Sequence, residues 1–313
     1  MENNLLENRY KVYELLGEGG VGTVYKALDL ETGKDIAVKF LVQQQTESQT
    51  FQQMRSRYFE REISLLKKIR HSSIVSFLGS GYTKEGFPYL LMEYVEGHTL
   101  AKDISENSPM LVGRVFKILQ PLCSALACIH QHGAIHRDLK PENIMITDKE
   151  GREEIKILDF GIAKLLEPSE GENVMPITQV GNIVGTVAYL SPEQWLEKEL
   201  DQRTDIYALG LIVYEMLTGK HPFRSDSLEL SMLMHLNEDP APPSSLNSDL
   251  PIFLDEVILR SLSKEKQDRQ ASAIDFLTEF ENVLADIYRR SLSYLSNPAT
   301  ETLSFEANND DEA

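Results

Sequence analysis

The dominant period of the apolar residues of this chain changes near residues 94–97, and that change limits the folds open to it. From Tyr10 to Tyr94, apolar β-branched and aromatic residues mostly alternate with polar ones, as in Thr23-Val24-Tyr25-Lys26-Ala27-Leu28. A period of two turns one strand face to a core and the other to water. Ile36-Ala37-Val38-Lys39-Phe40 reads as another strand, with Thr32-Gly33 as a hairpin turn before Lys34. Further strands are expected at Ile74–Leu78 and Tyr89–Tyr94. One helix is expected from about Ser56 to Ile69, because Phe59, Ile63, Leu66 and Ile69 recur at helical spacing. The Gln/Ser/Thr-rich stretch Gln43–Gln53 before it reads as a flexible connection.

Beyond Gly97 the spacing is helical. Val112–Gln131 is a long apolar helix, followed by short strands at Ile144–Thr147 and Ile155–Leu158. Residues 168–182 are rich in Gly, Pro, Ser, Glu and Asn and read as a mobile loop. Helix resumes at Arg203, interrupted by Pro240, Pro242 and Pro243. The expected class is α+β: a small β-rich lobe with one main helix (10–95), then a larger helical lobe (96–280). A segment that joins two lobes is a natural place for a ligand cleft.

The net charge of −18 disfavours nucleic acid and anionic membrane as partners, since both are polyanions. Basic substrates suit it better. The N-terminus has no basic region followed by an apolar one, so no signal peptide is expected. The segment Ile206–Leu217 is strongly apolar but contains Glu215 and falls short of the ~20 residues of a membrane span. The expectation is a cytoplasmic protein with no membrane span. Cys123 and Cys128 fit small buried side chains in a reducing compartment.

Four runs carry chemistry. Gly17-Glu18-Gly19-Gly20-Val21-Gly22-Thr23-Val24 precedes a strand, so it reads as a strand-turn-strand flap whose glycines let backbone N–H groups approach phosphate oxygens. Lys39 closes an apolar strand and gains meaning if an acid meets it. Glu62 is preferred for its helical phase beside Ile63 and Leu66, and Glu60 is the competing acid. The third run is His136-Arg137-Asp138-Leu139-Lys140-Pro141-Glu142-Asn143. In it Asp138 is suited to take the proton of an attacking hydroxyl, Lys140 to neutralise a phosphoryl group, and Asn143 to offer an amide oxygen to a divalent metal. Asp159-Phe160-Gly161 follows a strand and supplies a second metal ligand in Asp159.

At these runs the chain resembles the protein kinase superfamily, specifically the bacterial serine/threonine kinases of eukaryotic type, over roughly residues 10–280. The resemblance implies ATP with Mg²⁺ or Mn²⁺, protein substrates bearing Ser or Thr, and autophosphorylation in trans. It implies a gatekeeper at Met92 and adenine contacts from the backbone of Glu93 and Val95. Leu16, Val24, Ala37 and Met145 would sandwich the ring. Gly185–Glu193 resembles the substrate-docking loop with its closing acid, with Ser191 where alanine is usual. Glu193 would pair with Arg269, and Asp205 would hold the catalytic loop. Lys140-Pro141-Glu142 resembles the serine/threonine branch. Arg137 before Asp138 resembles kinases controlled by loop phosphorylation, with Thr178 as the site and Thr186 as a structural partner of Asp138 and Lys140. Val180 stands where relatives often have a second threonine, which puts two-site control in doubt. A pseudokinase scaffold and a small-molecule phosphotransferase are the alternatives. The retained Lys39, Glu62, Asp138, Asn143 and Asp159 argue against the first, and the docking loop against the second.

Residues 281–313 are expected to extend the last helix and end in an acidic, disordered tail, with five acids and no base in 301–313. Ile274, Leu277, Phe280, Leu284, Ile287 and Tyr288 keep helical spacing. That helix either packs on its own lobe or meets a partner.

Overall fold

A computed structural model describes residues 5–19, 22–41, 59–60, 63–158, 187–225 and 227–296. The class is α+β, in two lobes. The first lobe holds a six-stranded antiparallel sheet of order β1-β2-β3-β4-β6-β5. Its strands are β1 (Leu5–Leu6), β2 (Tyr10–Gly19), β3 (Gly22–Asp29), β4 (Lys34–Leu41), β5 (Phe77–Tyr82) and β6 (Pro88–Glu93). Alternation is the cause: Ile36 and Val38 of β4 pack with Ala27, Tyr89 and Leu91 on one face. The β3–β4 hairpin turns at Gly33, whose φ of 68° lies in the left-handed region that glycine enters without penalty. Phe59, Ile63, Leu66 and Ile69 are all buried, and residues 59–60 and 63–66 are helical.

The strand expected at Ile74–Leu78 lies further on, at Phe77–Tyr82. Gly79 and Gly81 weaken the strand signal, yet glycine at 81 makes room for the Tyr89 hydroxyl, which would lie 2.3 Å from a Cβ there. Residues 74–75 are instead extended against the second lobe, with Ile74 bridged to Ile157. Alternation cannot distinguish a strand from an extended segment buried on both sides.

The second lobe begins with β7 (His98–Thr99), which joins β8 (Ile144–Lys149) and β9 (Arg152–Ile157) in a small sheet. Its helices are α1 (Leu100–Asn107), α2 (Val112–Gln131), α3 (Pro192–Trp195), α4 (Arg203–Thr218), α5 (Leu228–Asn237), α6 (Pro243–Leu246), α7 (Phe253–Ser261) and α8 (Ala273–Ser296). α2 is long and apolar enough to cross a membrane. Here Ile118, Leu119, Leu122, Leu126 and Ile129 are buried against the rest of the lobe, so its apolar stripe serves the core. α4 lies at the centre and is buried from Thr204 to Thr218. α8 packs on α2 through Phe280, stacked on Phe116 at 6.2 Å. The phase expected for α8 is only partly right. Phe276 and Phe280 are inside, whereas Ile274 and Tyr288 are 44% and 66% exposed.

Candidate active site

The candidate site lies where the two sheets approach each other. Its central segment, 136–143, leaves α2 and enters β8 through a short 3₁₀ turn, Pro141–Asn143. The buried carboxylate of Asp205, in the first turn of α4, holds this segment. It accepts the backbone N–H of His136 at 2.8 Å and of Arg137 at 2.9 Å, and meets His130 Nε2 at 2.7 Å. Burial works to raise the Asp205 carboxyl, but the hydrogen bonds and charges of His130 and His136 outweigh it and hold the group below its ordinary value. Arg137 has a φ of 64°, uncommon for a side chain of its size. Its N–H is bound to Asp205 and its carbonyl accepts from Gln194 Nε2 at 2.8 Å, so both sides of the residue are fixed.

The Asp138 carboxylate lies beside two groups of the same run. Asn143 Nδ2 donates to Asp138 Oδ2 at 3.0 Å and to its carbonyl at 2.8 Å, and Lys140 Nζ lies 3.2 Å from Oδ2. Leu158 closes the far side. Its N–H donates to the Asn143 carbonyl at 2.7 Å, and its carbonyl lies 3.2 Å from His136 Nε2.

An apolar cluster adjoins the 136–143 segment through Leu158. Ala37, Val75 and Met92 form a buried cluster, and Val24, Val95 and Leu158 pack on it. Met145 is half-buried on β8, and Leu16 on β2 is 42% exposed. Lys39 is 4% exposed and lies within β4, opposite Val24 and Leu90, with the strand running on to Leu41. Glu60 is exposed. Glu93 ends β6 with its N–H on the Ser76 carbonyl at 2.9 Å.

The glycine flap divides by role. A Cβ on Gly22 would lie 2.2 Å from the Phe40 carbonyl, so the β3–β4 approach itself demands glycine there. A Cβ on Gly17 or Gly19 would meet nothing within 4 Å. Those two positions leave open space along β2, beside Glu18, while Thr23 pairs with Glu18 across the hairpin. Gly20, Val21, Glu62, Asp159, Thr178 and Thr186 lie outside the described residues.

Residues 10–279 match the family described as protein kinase domain. The chain belongs to the protein kinase family. Among similar kinases, a probable serine/threonine-protein kinase of Clostridium acetobutylicum is 39% identical over 283 residues, 90% of this chain and 41% of that protein. Serine/threonine-protein kinase pkn3 of Myxococcus xanthus is 38% identical over 88% of this chain and 50% of its own length. PknB of Mycobacterium tuberculosis is 36% identical over 95% of this chain and 49% of its own. The chain thus spans about half the length of the kinases it matches. A solved structure of Rad53 1-466 in complex with AMP-PNP superposes with a TM-score of 0.69 and 26% identity, covering 87% of this chain and 64% of that one.

Several participants carried no motif. Val75 belongs to the apolar cluster and Leu158 packs on it, and the signal for Leu158 is its place at the end of an apolar strand. Gln194 of α3 donates to the Arg137 carbonyl and His130 of α2 meets Asp205, which holds the 136–143 segment, and nothing in their local sequence marks them. The segment 187–193 also carries an unforeseen cluster. The Tyr189 hydroxyl donates to the buried Glu215 carboxylate, and the Tyr189 ring meets His221 edge-on at 5.1 Å.

Proposed function

We propose that this chain is a serine/threonine protein kinase, which moves the γ-phosphoryl group of ATP to a Ser or Thr hydroxyl of a protein. The observation that carries this reading is the Asp138 carboxylate, held by Asn143 at 3.0 Å and neighboured by Lys140 at 3.2 Å, in a segment that adjoins the Ala37–Val75–Met92 cluster through Leu158. Asp138 takes the hydroxyl proton as the oxygen attacks phosphorus and the bond to the leaving ADP breaks. Lys140 offsets charge on the moving phosphoryl group.

The residues present fit the nucleotide. Ala37, Val24, Met92, Val95 and Leu158 provide apolar walls for a planar ring, with Leu16 and Met145 at its margins and the backbone of Glu93 and Val95 at its edge. The open space at Gly17 and Gly19 suits phosphate oxygens. Lys39, with Glu62 as its partner, would meet the α- and β-phosphates. The Asn143 amide nitrogen is committed to Asp138, which leaves its oxygen as the end to face a cation, with Asp159 as the second ligand. A bound Mg²⁺ or Mn²⁺ would neutralise the phosphate charge.

Activation by autophosphorylation in trans belongs to the same reading, with Thr178 as the site and Arg137 as the cation that meets the phosphate. Phosphopeptide mapping after incubation with ATP tests it, and a dominant site other than Thr178 would sink it. The reading as a whole is tested by supplying γ-labelled ATP with a mixed Ser/Thr/Tyr peptide pool. Phosphoserine and phosphothreonine are expected, and label confined to tyrosine or to small molecules would overturn it.

A further inference from the structure

β9 carries a lysine that none of the four runs includes. Ile155 and Ile157 are 4% and 0% exposed, so the pleat turns Lys156 and Leu158 to the opposite face, where Leu158 packs on the Ala37–Val75–Met92 cluster. Lys156 Nζ reaches to the end of β6, where it donates to both carboxylate oxygens of Glu93 at 3.0 Å each. Glu93 Oε2 also accepts the Ser76 N–H at 3.1 Å, while the Glu93 N–H donates to the Ser76 carbonyl at 2.9 Å. The segment ending at Ser76 is joined in turn to β9. Val75 N–H donates to the Ile157 carbonyl at 2.9 Å, and Ile157 N–H donates to the Ser73 carbonyl at 2.8 Å. One residue further, Leu158 is bonded to Asn143 and lies beside His136.

These contacts form a continuous path from the residue that precedes the inter-lobe connection to the catalytic segment. Among the described residues the covalent link between the lobes is the short stretch after Glu93, and rotation about it would separate the Ala37–Val75–Met92 cluster from Asp138. We propose that Lys156 and Glu93 form a tether holding the connection in register with the catalytic segment, which makes Lys156 a positioning residue for nucleotide. The nucleotide part rests on the kinase reading above, whereas the tether does not. The pair is partly exposed, 15% at Lys156 and 34% at Glu93, so its role is geometric more than energetic. Gly97 pins the other end of the connection, because a Cβ there would lie 2.2 Å from the Ile146 carbonyl.

Amide hydrogen exchange on the full chain without nucleotide tests the tether. In K156M, amides at residues 75–76 and 93–97 are expected to exchange about threefold faster, with those of α2 and α4 unchanged. E93Q, a milder change that keeps side-chain size, is expected to raise the same amides. The exchanged pair E93K/K156E is expected to restore them, since it rebuilds the ion pair in reverse. Titration calorimetry with ADP adds the second readout. K156M should weaken binding roughly fivefold, and the exchanged pair should recover most of it. Unchanged exchange in both single variants, or no recovery in the exchanged pair, would overturn the tether. A wild-type chain that exchanges as expected but does not bind ADP would overturn the kinase reading alone.

Discussion

Glu193 and Arg269 meet through two parallel hydrogen bonds, each 2.8 Å, with the arginine 1% exposed. The remaining donors of the guanidinium go to the carbonyls of Ser263, Arg203 and Lys264, so all five are used. The Tyr207 ring lies under it at 4.8 Å. The pair fixes the start of α3 to the interior of the second lobe, 76 residues away in sequence.

Arg269→Met should therefore destabilise the protein by roughly 3–5 kcal/mol, because it leaves the Glu193 carboxylate buried without its cation. Arg269→Lys should recover little of this, since three donors on a point charge cannot replace a planar fork of five. Urea unfolding of the variants checks both statements.

Asp205 holds the 136–143 segment by its backbone, from the first turn of α4. Asp205→Asn keeps the shape but offers one acceptor oxygen to two backbone N–H groups and the His130 ring. A shift of the segment by about 1 Å would lower kcat around 100-fold. Steady-state kinetics should show that loss while far-UV circular dichroism stays as in the wild type.

Two histidines, the buried His235 and the half-buried His221, make the second lobe sensitive to acid. Burial, with Arg224 nearby, lowers His221 to about 4. Burial, with His221 and Lys264 nearby, lowers His235 to about 3. Both groups are neutral when folded and take up a proton on unfolding at higher pH than they do in the native state. Their contribution is thus complete above pH ~6.5 and is lost as pH falls from there toward 4 and then 3, up to about 3 kcal/mol for His221. His221→Asn and His235→Asn should flatten the fall of stability between pH 6.5 and 4, measured by denaturant titration at each pH.

The flap glycines should separate by kind of damage. Gly22→Ala forces a methyl against the Phe40 carbonyl and should lower Tm in the first lobe. Gly19→Ala meets no protein atom within 4 Å and should leave Tm unchanged while raising KM for ATP a few-fold. Thermal melts and ATP saturation curves together distinguish the two.

The sequence carried the two-lobed plan because period is a local signal. Alternation in Ile36–Phe40 and helical spacing in Val112–Gln131 need no tertiary context. The octet at 136–143 marked Asp138, Lys140 and Asn143, and the structure places them within hydrogen-bonding or ion-pair reach. What escaped the sequence is what the fold brings in from a distance. Lys156 read as a strand residue, yet its partner Glu93 is 63 positions away. The helix Leu100–Asn107 was missed because the strand-to-helix change near Gly97 left no clear start, although Thr99 caps it by accepting the Lys102 N–H. The phase of α8 was misread because Ala273 and Phe276, not Ile274, face the core.

The central claim is that Asp138 is the base of a phosphoryl transfer. Incorporation of γ-labelled phosphate into protein Ser or Thr by the wild-type chain, compared with Asp138→Asn, tests it most directly. Transfer by the wild type and a fall of at least about 100-fold in the variant is the predicted result. A wild type that transfers nothing, or an Asp138→Asn protein that transfers at the wild-type rate, would contradict it.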